Sequence, residues 1–366
     1  ARQHHIGLAV AYNVWQYFQV TSDLEFLVES GTELLVEIAR FWTSLATYDP
    51  AHDRYVIRGV IGPDEFHAGY PGAPYDGIDN NAFTNVMVVW VIRRALDALR
   101  TIPQRDRVNL LDEIGLREPE LEHWRELSCR MFVPFHDGTI SQFEGYEKLA
   151  ELDWDAYRAR YGNIQRLDRI LEAEGDDVSA YRASKQADVL MLFYLMSADE
   201  LRELLGHLGY ELAAEAIPHT IDYYMARTSH GSTLSSVVHA WVLARSQRAR
   251  AVDFFERVLL SDVADIQGGT TSEGIHLAAM AGSIDLLQRC FTGLEMRADR
   301  LILNPAWPTS LGTLSFRIFY RGHRLQLRIS GSGVRISSER RTVEPITVEC
   351  RDDVRTLGPG GVLRFG

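Results

Sequence analysis

Cysteine is scarce: the 366 residues hold three, Cys129, Cys290 and Cys350, an odd number with no spacing that suits a metal cluster. A chain this large does not depend on disulfides, so the thiols are expected to be reduced and buried and the protein cytoplasmic. Long apolar runs are also missing. The longest, Val86 to Ile92 and Val189 to Met196, are less than half of what a bilayer-spanning helix needs, and no membrane partner is expected. Positive charge is in deficit, with Lys+Arg 38 against Asp+Glu 50 and a net charge of −12. Without a basic run, a nucleic-acid surface and an anionic membrane are both poor partners. Neither GxxxxGK(S/T) nor a GxGxxG opening after a strand occurs, which argues against a nucleotide loop. No metal and no organic cofactor is expected.

Core material, by contrast, is ample: 46% of the residues are hydrophobic and 10% aromatic, enough for one large domain and a small one. Val10, Ala11, Val14, Trp15 and Phe18 stand at helical spacing soon after Ala1, so the first residue reads as a cut point. Ser22-Asp23-Leu24-Glu25 has the form of a capping box. Leu34, Leu35, Ile38, Ala39, Phe41, Trp42 and Leu45 follow as a broad apolar stripe at the helical repeat. Further helices are expected at about 82–100, 119–132, 185–196, 199–207, 209–226, 233–246, 249–260 and 274–292. After about residue 300 the apolar period shortens to two. Leu314, Phe316, Ile318 and Tyr320 alternate, Arg321-Gly322 supplies a turn, and Leu325, Leu327 and Ile329 alternate again. Residues 1–300 are therefore expected to form a mainly α domain and 301–366 a small antiparallel β-domain, joined by an Asn304-Pro305-Ala306-Trp307-Pro308 linker.

Between Gly59 and Asn80 the helical pattern breaks in a run of Gly and Pro, the mark of a long ordered loop, and such loops tend to be functional. Within it, Asp64, Glu65 and His67 sit among apolar neighbours, an environment that can raise one carboxyl pKa toward the general-acid range. The same two acids also suit a plain helix start after Pro63. Two clusters, Thr228-Ser229-His230-Gly231-Ser232-Thr233 and Gly268-Gly269-Thr270-Thr271-Ser272, each precede a helix. Their hydroxyls, imidazole and free N–H groups suit an anion, and equally suit simple capping. Lys185-Gln186 heads a very apolar helix, where Lys185 either serves a site or reaches back to solvent.

Taken together, Gly59 to His67, Ile78-Asp79-Asn80-Asn81-Ala82-Phe83-Thr84-Asn85, Lys185-Gln186-Ala187-Asp188-Val189, His230 to Ser235 and Gly268 to Leu277 resemble, in order, glycoside hydrolase family 65. That family holds the inverting disaccharide phosphorylases of the maltose, trehalose and kojibiose type. The resemblance implies an (α/α)6 barrel followed by a small antiparallel β-sandwich. It implies Glu65 as catalytic acid and Lys185 and Gln186 as binding the non-reducing glucosyl unit, and Asp64 and His67 are expected among the substrate-binding residues. His230, Ser232, Ser235, Thr270, Thr271 and His276 would hold inorganic phosphate, from two clusters facing one pocket.

The family's large N-terminal β-sandwich and its Trp-Asp-Thr-Glu segment have no counterpart, since Trp154-Asp155 continues as Ala156-Tyr157. About nine helices stand where a barrel needs twelve. The barrel is thus expected to be N-terminally incomplete, with the apolar faces near 10–20 and 33–46 covered by further chain or by a second copy in a homodimer. The implied reaction is phosphorolysis of an α-linked glucose disaccharide to β-glucose 1-phosphate and a sugar acceptor. An anionic nucleophile replaces the base that water would need. Two alternatives stay open: a trehalose-type hydrolase with Glu273 as base, or an inactive binding module.

Overall fold

The structure, a computed structural model, describes residues 3–73, 75–266 and 271–366, with the Glu273 side chain outside the described set. The chain divides into two compact units. The first takes in Ala1–Val14 and Glu25–Ser235, the second Trp15–Leu24 and Ser236–Gly366. This division differs from a cut at residue 300, because the helices after Ser235 group with the β-strands.

The first unit is helical. Its central helix, Ala82–Thr101, buries fifteen side chains around nearly its whole circumference, as the Val86–Ile92 run leads one to expect. Asn81 caps it, the side-chain oxygen accepting from Thr84 N at 2.9 Å, worth about 1 kcal/mol. The Thr32–Leu45 helix packs with it, Trp42 being fully buried. Ahead of that helix, Leu24–Phe26 and a π bulge at Leu27–Gly31 continue one helical run. The Ser22 hydroxyl has no partner among the described residues and Ser22 itself is left-handed, so the expected capping box does not form.

Three helices escape the periodicity signal: Gln104–Glu113, Trp154–Tyr161 and Leu167–Glu174. The first buries no residue at all and the others only one or two, the third over a single short stripe of Leu167, Ile170 and Leu171. Ile6, Val10, Leu34, Phe41 and Leu45 are exposed, an apolar surface on the two helices whose faces were expected to lack partners.

In the second unit, Thr313–Tyr320 and His323–Ser330 pair in the register Ile318 with Leu325, Phe316 with Leu327 and Leu314 with Ile329. Arg321 (φ 46°) and Gly322 (φ 81°) form the two-residue turn with the twist a hairpin needs. Gly333–Ser338 and Val362–Phe365 complete an antiparallel sheet of four strands. The other four-stranded sheet runs Asp353–Leu357, Ile346–Cys350, Arg300–Leu303, Glu295–Met296. Here the expected all-antiparallel arrangement is corrected, because Ile346–Cys350 lies parallel to Arg300–Leu303. Those strands are separated in sequence by most of the other sheet, a crossover long enough for parallel pairing. The expected linker is also no free tether: Ala306 and Trp307 are buried and Asn304 N donates to Thr292 O at 3.1 Å. Cys290 and Cys350 are buried as expected, whereas Cys129, in the first unit, is exposed. No described helix is long and apolar enough to cross a membrane.

Candidate active site

The Gly59–Asn80 loop is closed at its base. Val60 and Ile78 exchange two backbone hydrogen bonds, at 3.0 and 2.7 Å. Gly77 has φ 81°, and a Cβ there would strike the backbone of Gly59. Asn80 ties the loop down, accepting from Ile57 N at 3.1 Å and donating to Glu144 Oε2 at 2.7 Å.

Residues 62–67 are fastened to the segment 181–188 by buried polar contacts. Asp64 Oδ1 accepts from the backbone N–H groups of Lys185 and Gln186 at 2.6 and 2.9 Å. Its Oδ2 accepts from Gln142 Nε2 at 3.0 Å. In the other direction Asp64 N donates to Asp188 Oδ1 at 2.7 Å, and Asn81 Nδ2 donates to Asp188 Oδ2 at 2.8 Å. Gln142 Oε1 accepts from Asp188 N at 3.2 Å. Asp64 is 3% exposed and Asp188 1%. Burial, and then the neighbouring Asp64 carboxylate, push the Asp188 carboxyl well above its ordinary range. His67 is equally buried; its Nε2–H donates to the Tyr181 carbonyl at 3.1 Å, while its ring meets Phe143 and Tyr146.

The fastened loop presents Glu65. Its backbone is left-handed, φ 65°, which is uncommon outside glycine. Its side chain is 50% exposed, with Lys185 Nζ 3.6 Å from Oε2 and Gln3 Nε2 2.9 Å from Oε1. The carboxyl enclosed by apolar surroundings is therefore not Glu65. Deep burial belongs to Asp64 and Asp188, which face the other way.

The first Ser/Thr/His cluster abuts Lys185. Ser184 N donates to Arg227 O at 2.9 Å, Ser229 N to Ser184 O at 2.8 Å, and the Ser184 and Thr228 hydroxyls lie 3.0 Å apart. A Cβ on Gly231 would meet Gln165 O and the Lys185 stem, so only glycine fits there. His230 is left-handed (φ 60°), its Nδ1 2.9 Å from the hydroxyl of buried Ser235. Ser232 Oγ accepts from Leu234 N at 3.2 Å at the start of the Thr233–Leu243 helix.

The second cluster belongs to the second unit, and Thr270 lies outside the described residues. Thr271 opens a short 3-10 turn, its N–H donating to Asp265 Oδ1 at 3.1 Å. The Thr271 hydroxyl is buried with no partner among the described residues. Asp262 holds His276 twice, accepting from its backbone N at 2.9 Å and meeting Nδ1 at 2.6 Å. That bond to the His276 side chain draws the Asp262 carboxyl below its ordinary range.

The structure thus brings Glu65, Lys185 and the His230 cluster into one neighbourhood. Asp64 and His67 are both turned into the protein, where each Asp64 oxygen already accepts a hydrogen bond. Gln186 is 5% exposed, with Nε2 3.0 Å from Met191 Sδ and Oε1 buried without a partner among the described residues. Sequence reasoning assigned no role to Asp188, Gln142 and Asn81. An acid heading a very apolar helix was a readable signal for Asp188, while Gln142 had none. No group of three or more His, Cys, Asp or Glu side chains among the described residues could hold a metal ion.

Comparison with known proteins locates these features. Residues 1–285 match the model of the glycosyl hydrolase family 65 central catalytic domain, and residues 294–357 that of the family's C-terminal domain. An uncharacterized glycosyl hydrolase of Mycobacterium tuberculosis is 64% identical over 365 residues, covering 100% of this chain and 28% of that protein. The trehalose 6-phosphate phosphorylase of Lactococcus lactis subsp. lactis is 37% identical over 332 residues, 90% of this chain and 41% of its own. A solved human-microbiome protein named as a kojibiose phosphorylase superposes with a TM-score of 0.76 at 22% identity, over 98% of this chain and 49% of that one. The likeness to that solved protein is one of fold, the helical barrel followed by a C-terminal β-domain. The chain spans less than half the length of each of the three.

Proposed function

This chain belongs to glycosyl hydrolase family 65, and from that premise we propose that it serves the inverting phosphorolysis of an α-linked glucose disaccharide. Glu65 protonates the leaving glycosidic oxygen. Phosphate attacks the anomeric carbon from the opposite face and yields β-glucose 1-phosphate and the free acceptor sugar. Lys185 and the Gln186 Oε1 atom hold the glucosyl unit. His230, Ser232 and Ser235 supply donors for the phosphate, and the family resemblance assigns the same role to Thr270, Thr271 and His276 of the second unit.

One observation carries this reading over hydrolysis. Of the three acids joined by the loop and the 181–188 segment, Glu65 is half exposed, whereas Asp64 and Asp188 are buried with their oxygens already accepting hydrogen bonds, so neither of those two supports water activation. An inverting hydrolase needs a second free carboxylate to activate water; a reaction using phosphate does not. Beside Lys185 in the first unit, His230 and Ser235, with Nδ1 and hydroxyl 2.9 Å apart, offer the kind of polar groups that an oxyanion requires. Donors fixed before the reaction stabilise developing charge without having to reorganise, and such preorganised electrostatics supply much of the rate enhancement in many enzymes.

The test is an assay with trehalose, kojibiose, maltose and their 6-phosphates, each with and without inorganic phosphate. Sugar should be released only when phosphate is present. Release at an equal rate without phosphate would make the protein a hydrolase.

A further inference from the structure

We propose that Asp64 and Asp188 form a buried positioning pair that sets the Glu65 carboxyl and the Lys185 ammonium for glycosyl transfer. The inference rests on Glu65 being the proton donor. It starts from a backbone problem. A left-handed non-glycine residue is disfavoured relative to its ordinary conformation and persists only where its surroundings over-determine it. Glu65 is such a residue, and it lies between two that are anchored. On one side Asp64 takes two successive N–H groups of the 181–188 segment; on the other His67 donates to Tyr181 O in the same segment.

The grip is directional. Consecutive residues take opposite ends of one lysine: Asp64 binds the Lys185 backbone N at 2.6 Å, and Glu65 meets its Nζ at 3.6 Å. The distance from acid to ammonium is therefore set by where the Asp64 carboxylate sits. Its position is set in turn by Gln142 and by the Asp188 carboxyl. No amide in this network is free to flip. Gln142 donates to Asp64 and accepts from Asp188 N, while Asn81 donates to Asp188 and accepts from Thr84. Gly62 closes the packing, since a Cβ there would strike Asp188 Oδ2 and Asn81 Nδ2. An asparagine in place of either acid puts a donor against a donor that cannot turn away, and the loss passes to Glu65.

Asp64→Asn and Asp188→Asn test this, with Gln142→Leu as a gentler variant that removes only the neutral brace. Each is compared with Glu65→Gln on a natural disaccharide and on an α-glucoside whose phenol leaving group needs no protonation, and each crystal structure is solved. A misplaced acid should lower kcat on the disaccharide by about 100-fold while KM for phosphate moves little. The phenol glucoside should lose far less. In the crystals residue 65 should leave the left-handed region or Lys185 Nζ should move away from it. If the two Asn variants fail to fold, Gln142→Leu should show the same pattern at about tenfold.

A folded Asp64→Asn enzyme with full kcat, where Glu65→Gln has lost activity, would overturn the positioning role alone. Equal losses on both substrates with residue 65 unmoved would overturn it too. Full activity in Glu65→Gln would instead remove the acid assignment. The backbone at residue 65 in the Asp64→Asn crystal would then decide whether the pair positions that loop.

Discussion

The Gly59–His67 loop and the Thr271–His276 segment offer the same kinds of residue, yet they are held by opposite means. The first is tied through two buried acids, its own Asp64 and Asp188, to chain more than a hundred residues away: Asp64 N meets Asp188, and Lys185 N meets Asp64. The second is held by local carboxylates, the half-buried Asp262 fourteen residues before His276 and the exposed Asp265 six before Thr271. Buried charge-assisted bonds contribute roughly 1.5–3 kcal/mol each and fix geometry, whereas exposed ones contribute little and are screened by salt. A loop that must aim a proton donor needs the first kind of support. A segment that gathers around a mobile anion can use the second.

The contrast is broken most severely at Glu65 itself. Glu65→Gln should lower turnover on an unactivated disaccharide by about 100- to 10,000-fold. The unfolding midpoint should stay unchanged, because the side chain is half exposed; steady-state kinetics and thermal melting read the two effects. In the second unit, Thr271→Val should raise KM for phosphate several-fold, by roughly the 1 kcal/mol of one hydrogen bond, and leave KM for the sugar in place.

Stability separates the regions next. Gly62→Ala, with its methyl driven into Asp188 and Asn81, should cost about 1–3 kcal/mol in urea unfolding. Gly206→Ala, in the Ala198–His207 helix with open space around it, should instead gain about 0.5–1 kcal/mol.

The two acids should also give opposite pH slopes. The Asp188 carboxyl is raised on folding, so the folded state holds its proton at pH values where the unfolded chain has released it. Its contribution falls as pH rises from the ordinary carboxylate range toward the raised value. The Asp262 carboxyl is lowered, so its contribution is present above the ordinary carboxylate range and is lost as pH falls through the depressed value. Urea unfolding across that range should show the falling limb flattened in Asp188→Asn and the acid limb flattened in Asp262→Asn. The smallest effect is chemical: exposed Cys129 should react with a thiol reagent in the native protein, and buried Cys290 and Cys350 only on unfolding.

The same contrast explains what could be read in advance. The Ala82–Thr101 helix announces itself through Val86–Ile92, the hairpin through alternation around Arg321-Gly322, and the loop through its Gly and Pro residues, all local signals. Gln104–Glu113 buries nothing, so no periodicity marks it. The parallel pairing of Ile346–Cys350 with Arg300–Leu303 depends on a crossover that no local pattern records. Asp64 misleads by adjacency. It stands beside Glu65 in sequence, but a left-handed backbone turns the two side chains apart, one to solvent and one into the protein. The partners that fix it lie at 142, 185, 186 and 188, and only folding brings them together.

If Glu65 and the two hydroxyl-rich clusters serve attack by phosphate on an α-glucoside, the stereochemistry of the first product records it. The most direct measurement follows the anomeric proton by NMR during reaction of an α-linked glucose disaccharide with inorganic phosphate. Glucose 1-phosphate should form first as the β-anomer, in step with the released acceptor sugar. Formation of the α-anomer, or of free glucose with no sugar phosphate, would contradict that assignment.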